Sequence, residues 1–593
     1  MTTSPVTPPI TPGRLLQQRA AKRPDDVIFI HLTKDLADAQ EVRYGELYAR
    51  ASAIAARLIA LGLQQRPVLL VYPPGPAFAD AFFGALLAGA IAVPVPVPQF
   101  AAQYERLMRV AIDCEPGAML TTSVLLESLA PRFDANAQLV ACPWLATDTP
   151  DATASATSPI ELPDVSRDAV ALLQYTSGST AEPRGVVITH DNIAHNVTTI
   201  IRDLPVYPGP SVSWAPHFHD MGLIAGIVTP IYCDRPAVLM SPLAFLQRPL
   251  RWLEAITHYR ATTSGAPNFA YALCVRAAAT ADLSGLDLSS WQTAYCSAEP
   301  VRPSTLAAFA ECFAPYGLRP EALTPSYGMA EATLLLTSKR IGTLHTVHRL
   351  SRAALESGHA VLSSEPTALH LTGSGFPITA TDVRIVDPAT GVERPRGGLG
   401  EVWVSGPGVA RGYWRSRDAA SFDAFLSGSN AGPFLRTGDL GFLSDAGELV
   451  FVDRLKDLII VNGQNFICHD LELSAGSSHP LLSPEACVAF GIDGGDKPHI
   501  MIIAELPSGE VARAGEVAAA VRAAMFSRHG VPAHTITFVP PRKLSRTTSG
   551  KLQRRASATR LIAGDLRVLA QHGEPLPQPL PQPHVPSLPV TTS

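Results

Sequence analysis

The chain has 593 residues, too many for one compact core, so at least two domains are expected. Its 46% hydrophobic and 17% charged content is that of a globular protein with a large interior, and a net charge of −5 gives no general reason to expect nucleic-acid binding. The cysteines, Cys114, Cys142, Cys233, Cys274, Cys296, Cys312, Cys468 and Cys487, are scattered without a C-x-x-C pair or metal-ligand spacing, and read as buried thiols of a reducing compartment.

Residues 1–14 read as a flexible N-terminus: Met1 to Gly13 is rich in Thr and Pro and lacks the basic and apolar regions of a signal peptide, so the cytoplasm is the expected location. From Leu15 to Leu440, Ala/Leu-rich stretches alternate with short Val/Ile-rich runs, which predicts α/β layering. Glu46–Leu61 and Pro76–Ala88 are predicted helices, and Val68–Tyr72, Ala118–Thr121 and Ala169–Leu173 predicted buried strands. The most apolar run, Ala81 to Val93, is too short to span a bilayer and reads as a buried helix turning into a strand. Asp148 to Pro163 has the composition of a surface connection.

After the third strand comes Thr176-Ser177-Gly178-Ser179-Thr180-Ala181-Glu182-Pro183-Arg184-Gly185. Glycines let a backbone turn its N–H groups toward one point, hydroxyls add neutral donors and Arg184 adds a fixed charge, a combination suited to a polyphosphate. No Gly-Lys-Ser/Thr follows, so it is not a Walker A loop; an ordinary polar turn is the other reading. Beyond Gly441 the texture changes. Glu448–Val452 reads as a strand, and Asp453-Arg454-Leu455-Lys456-Asp457 is a charged break before Leu458–Val461. A smaller α+β region follows, with helices near Asp470–Ala475 and Val517–Phe526 and strands around Ala486–Phe490 and Ile500–Ala504. The expected domains are 15–453 and 454–570, with 571–593 a Pro-rich disordered tail.

Later segments keep a fixed order: His217-Phe218-His219-Asp220-Met221-Gly222-Leu223-Ile224, Ala298-Glu299-Pro300-Val301-Arg302, Tyr327-Gly328-Met329-Ala330-Glu331, Arg436-Thr437-Gly438-Asp439, the charged break, and Ser549-Gly550-Lys551. With the hydroxyl-rich loop they resemble the motifs of the AMP-forming adenylate synthetases. That resemblance implies a large, multi-subdomain adenylating domain with a small mobile C-terminal domain (the ANL-type fold). It also implies ATP and Mg²⁺ as cofactors. By the same resemblance Thr176 to Thr180, Arg184 and Gly185 hold the phosphates, and the backbone of Ala298, Glu299 and Pro300 packs on adenine. Tyr327 stacks on adenine beside Gly328 and Met329, Glu331 holds Mg²⁺, and Asp439 and Arg454 take the ribose. Lys456 marks the hinge, His219 lies near the reacting carboxylate, and Lys551 is the mobile catalytic lysine. Read on their own, Pro300 suits a plain strand exit, Thr-Gly-Asp a simple turn, and Glu331 a first-turn carboxylate.

Several details are more similar to the fatty acyl-AMP ligases within that superfamily. These are the His219–Ile224 segment, Ser264-Gly265-Ala266-Pro267-Asn268-Phe269-Ala270-Tyr271, Ala298 to Arg302, Ala330 before Glu331, and the absence of Gly at Ala181. A further segment at 343–371, containing Val347 to Leu355, stands where those ligases carry an insertion that restrains the small domain; a tolerated surface loop is the alternative. The resemblance implies a fatty acid in a pocket including Met221, Gly222, Ile224 and Phe269, activated to an acyl-adenylate and passed to the phosphopantetheine arm of an acyl carrier protein, in polyketide or lipopeptide assembly. Neither nucleic acid nor a membrane span is expected. A fatty acyl-CoA ligase and a non-catalytic nucleotide-binding scaffold are the competing readings. Arg542, Lys543, Arg546, Arg554 and Arg555 form a basic cluster expected to attract an acidic carrier protein, or else a solvated face.

Overall fold

A computed structural model describes residues 10–33, 36, 38–133, 142–149, 162–175, 183–204, 208–416, 419–429, 431–461, 464–493, 498–547 and 550–575. Most of the connection at 148–163 and the loop residues Thr176 to Glu182, Ala181 included, lie outside the described residues.

Two sheets make the body of the large region. The first has six strands in the order Trp144–Ala146, Ala118–Thr121, Pro67–Val71, Ile91–Val95, Val170–Tyr175, Gly185–Thr189, all parallel except the last pair. Its central runs are buried at every residue, as expected for parallel strands covered on both faces. The helices Tyr44–Ala60 and Pro76–Ala88 pack closely against each other because Gly84 has no side chain: a Cβ there would meet Ile54 at 2.8 Å. Pro76 opens the second helix, and Gly89 (φ +69°) turns it out into the strand Ile91–Val95.

The second sheet has nine strands, with Leu323–Gly328, Thr293–Cys296, Thr263–Ala266, Ser211–Ser213, Ala237–Met240 and Val27–Leu32 running parallel at its centre and antiparallel strands at both edges. A four-stranded antiparallel sheet (Asp382–Val386, Gly400–Ser405, Leu435–Leu443, Leu449–Arg454) completes this region. Its last strand ends in the charged segment, where a single 3₁₀ turn, Leu455–Asp457, leads into the small domain.

The small domain carries the sheet Cys487–Asp493, Pro498–Glu505, Thr535–Val539, Ala570–Gly573, covered by helices Cys468–Gly476, Ala514–His529 and Arg554–Ile562. Its fourth strand corrects the expected start of the tail at 571: Ala570–Gly573 pairs antiparallel with Thr535–Phe538, and Glu574 N–H donates to His534 O. The segment 343–371 forms a hairpin, Val347–Leu350 with Leu369–Thr372, carrying the short helix Arg352–Glu356. Among the described residues no helix is long and apolar enough to cross a membrane, and all eight cysteines are free thiols.

Candidate active site

The hydroxyl-rich loop connects two paired strands whose ends are described. Tyr175 stands opposite Gly185, and a Cβ on Gly185 would meet the Tyr175 ring at 2.9 Å, so this position needs glycine for packing. Arg184 lies over the Tyr413 ring, 5.2 Å from its centroid, and the Tyr413 hydroxyl donates to Glu331 Oε1 at 2.9 Å. Tyr413 therefore joins the cationic end of the loop to the expected metal-binding carboxylate. Sequence reasoning missed it; its contact with the strand after the loop (bridge to Val186) spans the chain. Glu331 occupies the 3₁₀ turn Ala330–Ala332, too short to carry a helix dipole, and desolvation in the cleft raises its pKa.

Asp439, Tyr327 and Arg454 form a second group. Asp439 pairs across the sheet with Arg454, whose Nε lies 3.4 Å from Asp439 Oδ1, while the Tyr327 hydroxyl donates to Asp439 Oδ2 at 2.8 Å. Gly438, at φ +70°, makes the turn that brings Asp439 inward, and its N–H donates to the buried Glu401. Burial raises the Asp439 pKa, opposed by the charge of Arg454. The Tyr327 ring stacks loosely on Phe451, with 6.2 Å between centroids. Gly328 admits no side chain, because a Cβ would meet Leu334 O at 1.8 Å.

The third group crosses the two domains. Lys551 Nζ lies 3.4 Å from His219 Nε2, and His219 Nδ1 lies 2.5 Å from Asp220 Oδ1, which also accepts the Met221 N–H. Gln174, just before the loop, donates to Phe218 O at 2.7 Å and ties this segment to the first sheet. Desolvation lowers the Lys551 pKa while the carboxylates of Asp220 and Glu299 raise it. Burial alone would raise Asp220, but His219 and Lys551 outweigh it and hold that carboxyl below its ordinary value. Gly550, at φ +90°, lets the lysine turn close onto the Phe269 ring, 2.8 Å from where a Cβ would stand. Glu299 accepts the Phe269 N–H at 2.6 Å and so holds the start of the helix Asn268–Ala278; Ala298 beside it has φ +74°, a strained value for a residue with a Cβ. Pro300 follows, half-buried like Ala298 and Glu299, and Met329, also half-buried, precedes the Glu331 turn.

A narrow cavity of about 140 Å³ runs beside the second sheet from Ala298, Ser326 and Gly328 to Thr293, Ser211 and Arg235. Of the four expected pocket residues, Met221 lines it. Gly222, Ile224 and Phe269 do not. The segment Met221–Val228 is a π-helix, whose wider turn brings Ala225 and Thr229 to the cavity instead. Gly222 packs against Pro216 O, 2.0 Å from a would-be Cβ, Ile224 is fully buried in the core, and Phe269 sits under the lysine turn. Lys456 occupies the 3₁₀ turn between the domains, where its carbonyl accepts from Arg555 Nη2 at 2.6 Å.

Within the basic cluster, Arg554 departs from the expected exposed charge. Arg554 is bound to Glu472 (2.6 and 2.9 Å), Asp453 (3.2 Å) and Asp457 (3.3 Å), and Arg546 donates to Glu485 O at 2.7 Å. With its guanidinium enclosed by carboxylates, Arg554 is no free docking charge.

A doubly layered α/β body joined to a small domain whose lysine reaches His219 defines an adenylating enzyme. The family model described as "AMP-binding enzyme" matches residues 16–414, and one described as "Disco-interacting protein 2-like, AMP domain" matches 456–571. The medium-chain-fatty-acid–[acyl-carrier-protein] ligase JamA of Moorena producens is 36% identical over 93% of this chain and 95% of its own. The long-chain-fatty-acid–AMP ligase of Mycobacterium marinum is 35% identical over 94% of this chain and 98% of its own. The crystal structure of the fatty acyl-adenylate ligase of L. pneumophila, in complex with acyl adenylate and pyrophosphate, superimposes with a TM-score of 0.73 at 33% identity, covering 95% and 98% of the two chains. The chain belongs to the AMP-binding enzyme family.

Proposed function

We propose that this protein is a cytoplasmic AMP-forming fatty acid ligase that converts a fatty acid and ATP to an acyl-adenylate and pyrophosphate, then passes the acyl group to the phosphopantetheine thiol of an acyl carrier protein. The observation that carries this reading is the seat of Lys551, a small-domain residue held beside His219 and Asp220 at the mouth of the cavity. The matched relatives named for fatty-acid–AMP and carrier-protein ligation support it along nearly the whole chain.

In the first step a carboxylate oxygen bonds to the α-phosphorus while the α–β anhydride breaks and pyrophosphate leaves. Anion meets anion, so cations must sit where charge accumulates. Lys551 would bridge the attacking carboxylate and the α-phosphate; burial lowers its pKa, and the charges of Asp220 and Glu299 oppose that shift. Asp220 would fix the His219 ring so that Nε2 faces the lysine. Asp439 would accept from the ribose hydroxyls, with Arg454 and Tyr327 orienting its two oxygens. Arg184 and the loop N–H groups would take the outer phosphates. In the second step the thiol sulfur bonds to the acyl carbon, and AMP leaves with its oxygen.

Glu331 suits Mg²⁺. Its carboxylate accepts from Tyr413 through Oε1, and among the described residues no cluster of three His, Cys, Asp or Glu suggests another metal. A hard cation that keeps its waters and leans on phosphates needs only one or two carboxylates. When bound, it would neutralise phosphate charge.

The test is incubation with ATP, Mg²⁺, a fatty acid, and either holo-carrier protein or CoA. Pyrophosphate release with carrier thioester is the expected result; robust acyl-CoA would move the chain to the CoA ligases, and no fatty-acid-dependent pyrophosphate would leave the scaffold reading.

A further inference from the structure

The two walls of the acyl cavity differ in chemistry. Ile200, Ile201, Leu204, Met221 and Ala225 form an apolar wall. Opposite them, Ser211, Thr263 and Thr293 stand at one register level of three neighbouring parallel strands, so they project to the same face, and all three line the cavity. Ser211 Oγ and Thr293 Oγ1 are sealed from the surface and make no hydrogen bond within the protein, and Thr293 as a whole is only 3% exposed. A buried hydroxyl without a partner is destabilising unless whatever fills the adjoining space bonds to it.

This hydroxyl row lies at the far end of the cavity from the reaction. Ser297 and Ala298 follow the C-terminal end of the strand Thr293–Cys296 and, with Gly328, border the Tyr327 side, whereas Thr293 begins that strand. The separation is on the order of 13 Å at about 3.3 Å per residue. Ser211 N–H donates to Pro236 O at 3.0 Å, which sets Arg235 at the rim of the same distal end. A saturated chain would satisfy the apolar wall and leave the row unbonded; a chain with an oxygen at that depth satisfies both.

Resting on the fatty-acid adenylation reading above, we propose that the distal end of the cavity is a subsite for an oxygen-bearing carbon, so that the preferred substrate is a fatty acid hydroxylated at or near the end remote from its carboxyl group. Ser211 and Thr293 each bring a donor and acceptor to a substrate hydroxyl.

The experiment measures pyrophosphate release with ATP and Mg²⁺ for even-chain acids from octanoic to hexadecanoic, each as the saturated and the ω-hydroxy acid. At one length the hydroxy acid is expected to have a kcat/KM about tenfold above its saturated counterpart. Thr293→Val and Ser211→Ala should each pull that ratio toward one, without lowering Tm, because each removes a hydroxyl that bonds nothing within the protein. Preference for the saturated acid at every length, or a ratio unchanged in both variants, would overturn the proposal; the wild-type comparison stands even if a variant does not fold. Preference for an α,ω-dicarboxylic acid, abolished by Arg235→Gln, would overturn it in favour of charge recognition at the rim. Absence of pyrophosphate with every acid would overturn the ligase reading, and the subsite with it.

Discussion

Arg352 is the most informative residue to remove. It sits on the short helix Arg352–Glu356 of the inserted hairpin and donates through Nε (2.7 Å) and Nη2 (2.9 Å) to the two oxygens of Asp470, on the first helix of the small domain. The side chains are 14% and 5% exposed. In Arg352→Ala the Asp470 carboxylate stays desolvated, with the rings of His529, 3.8 Å away, and His469 left to answer its charge. Breaking one side of a buried pair costs about 3–5 kcal/mol. The remaining exposure of Arg352, and a proton taken up by His529, bring this to about 2–3 kcal/mol. At about 1.4 kcal/mol per tenfold, the fraction of molecules with the small domain released rises roughly 30- to 150-fold. Hydrogen exchange at the amides of 352–356 and 468–476 should quicken, and the ratio of CoA thioester to carrier thioester should rise. Replacing both partners, Arg352→Met with Asp470→Leu, should restore much of the protection, because no unpaired charge is then buried. If Arg352→Ala leaves both exchange and the acceptor ratio at wild-type values, this pair does not couple the insertion to the small domain.

Lys551→Ala should lower fatty-acid-dependent pyrophosphate release about a thousandfold with little change in the KM for ATP, since its charge acts where negative charge builds up; equal activity in steady-state assays would refute that role. Asp439→Asn should raise the KM for ATP about tenfold or more, the cost of a charge-assisted bond to the ribose, and leave kcat nearer its wild-type value. Burial holds His31, His190 and His469 near pKa about 4 and His217 near about 3, below the ordinary 6.5. These rings are neutral when folded and take up protons on unfolding, so their stabilisation is complete above pH 6.5 and is lost as pH falls toward their folded values. Each contributes up to about 1.4 kcal/mol per pH unit in that window. The urea midpoint should therefore drop sharply from pH 7 to pH 5, and a flat profile would contradict it.

The parts legible in the sequence were those with a local cause. Runs such as Pro67–Val71 are apolar at every position because both faces are covered, and Pro76 and Gly89 punctuate a helix within a few residues of where they act. Positions fixed by distant partners were not legible. Nothing near Arg554 in sequence announces Glu472, Asp453 and Asp457, so one member of a cluster that reads as a basic surface sits in an enclosed ion network, while Arg542, Lys543 and Arg546 are exposed. The strand Ala570–Gly573, Ala-Gln-His-Gly, has no β-branched residue and is held by partners distant in sequence: the hydrogen bonds of Thr535–Phe538 and the Phe538 ring beside His572. The π geometry of Met221–Val228 was not legible either, because an apolar run does not announce the wider turn that changes which residues share a face. Tyr413 lacked any signal, since its role depends on meeting Arg184 and Glu331 in space.

Among the ion pairs that hold the small domain to the large one, two differ in consequence. Arg352–Asp470 ties it to the inserted hairpin, away from the reacting groups. Arg302–Glu485 (2.8 Å), with Arg276 3.4 Å from the same carboxylate, ties it at the cleft, and the Glu485 carbonyl accepts from Arg546, which also donates to Gly550 O beside Lys551. Any swing about Lys456 that withdraws Lys551 must break the Arg302 pair, because that pair and the lysine turn are bonded to one another through Glu485. The Arg352 pair must part in the same swing, but it has no bond to the lysine turn and so sets how easily the swing occurs. Glu485→Gln should therefore slow adenylation itself by loosening the lysine turn, while Arg352→Ala changes the acceptor and leaves the first step comparatively intact. Pyrophosphate release and thioester formation, measured separately on the two variants, distinguish a clamp on chemistry from a clamp on domain motion, and identical profiles for both would show that the two pairs act as one.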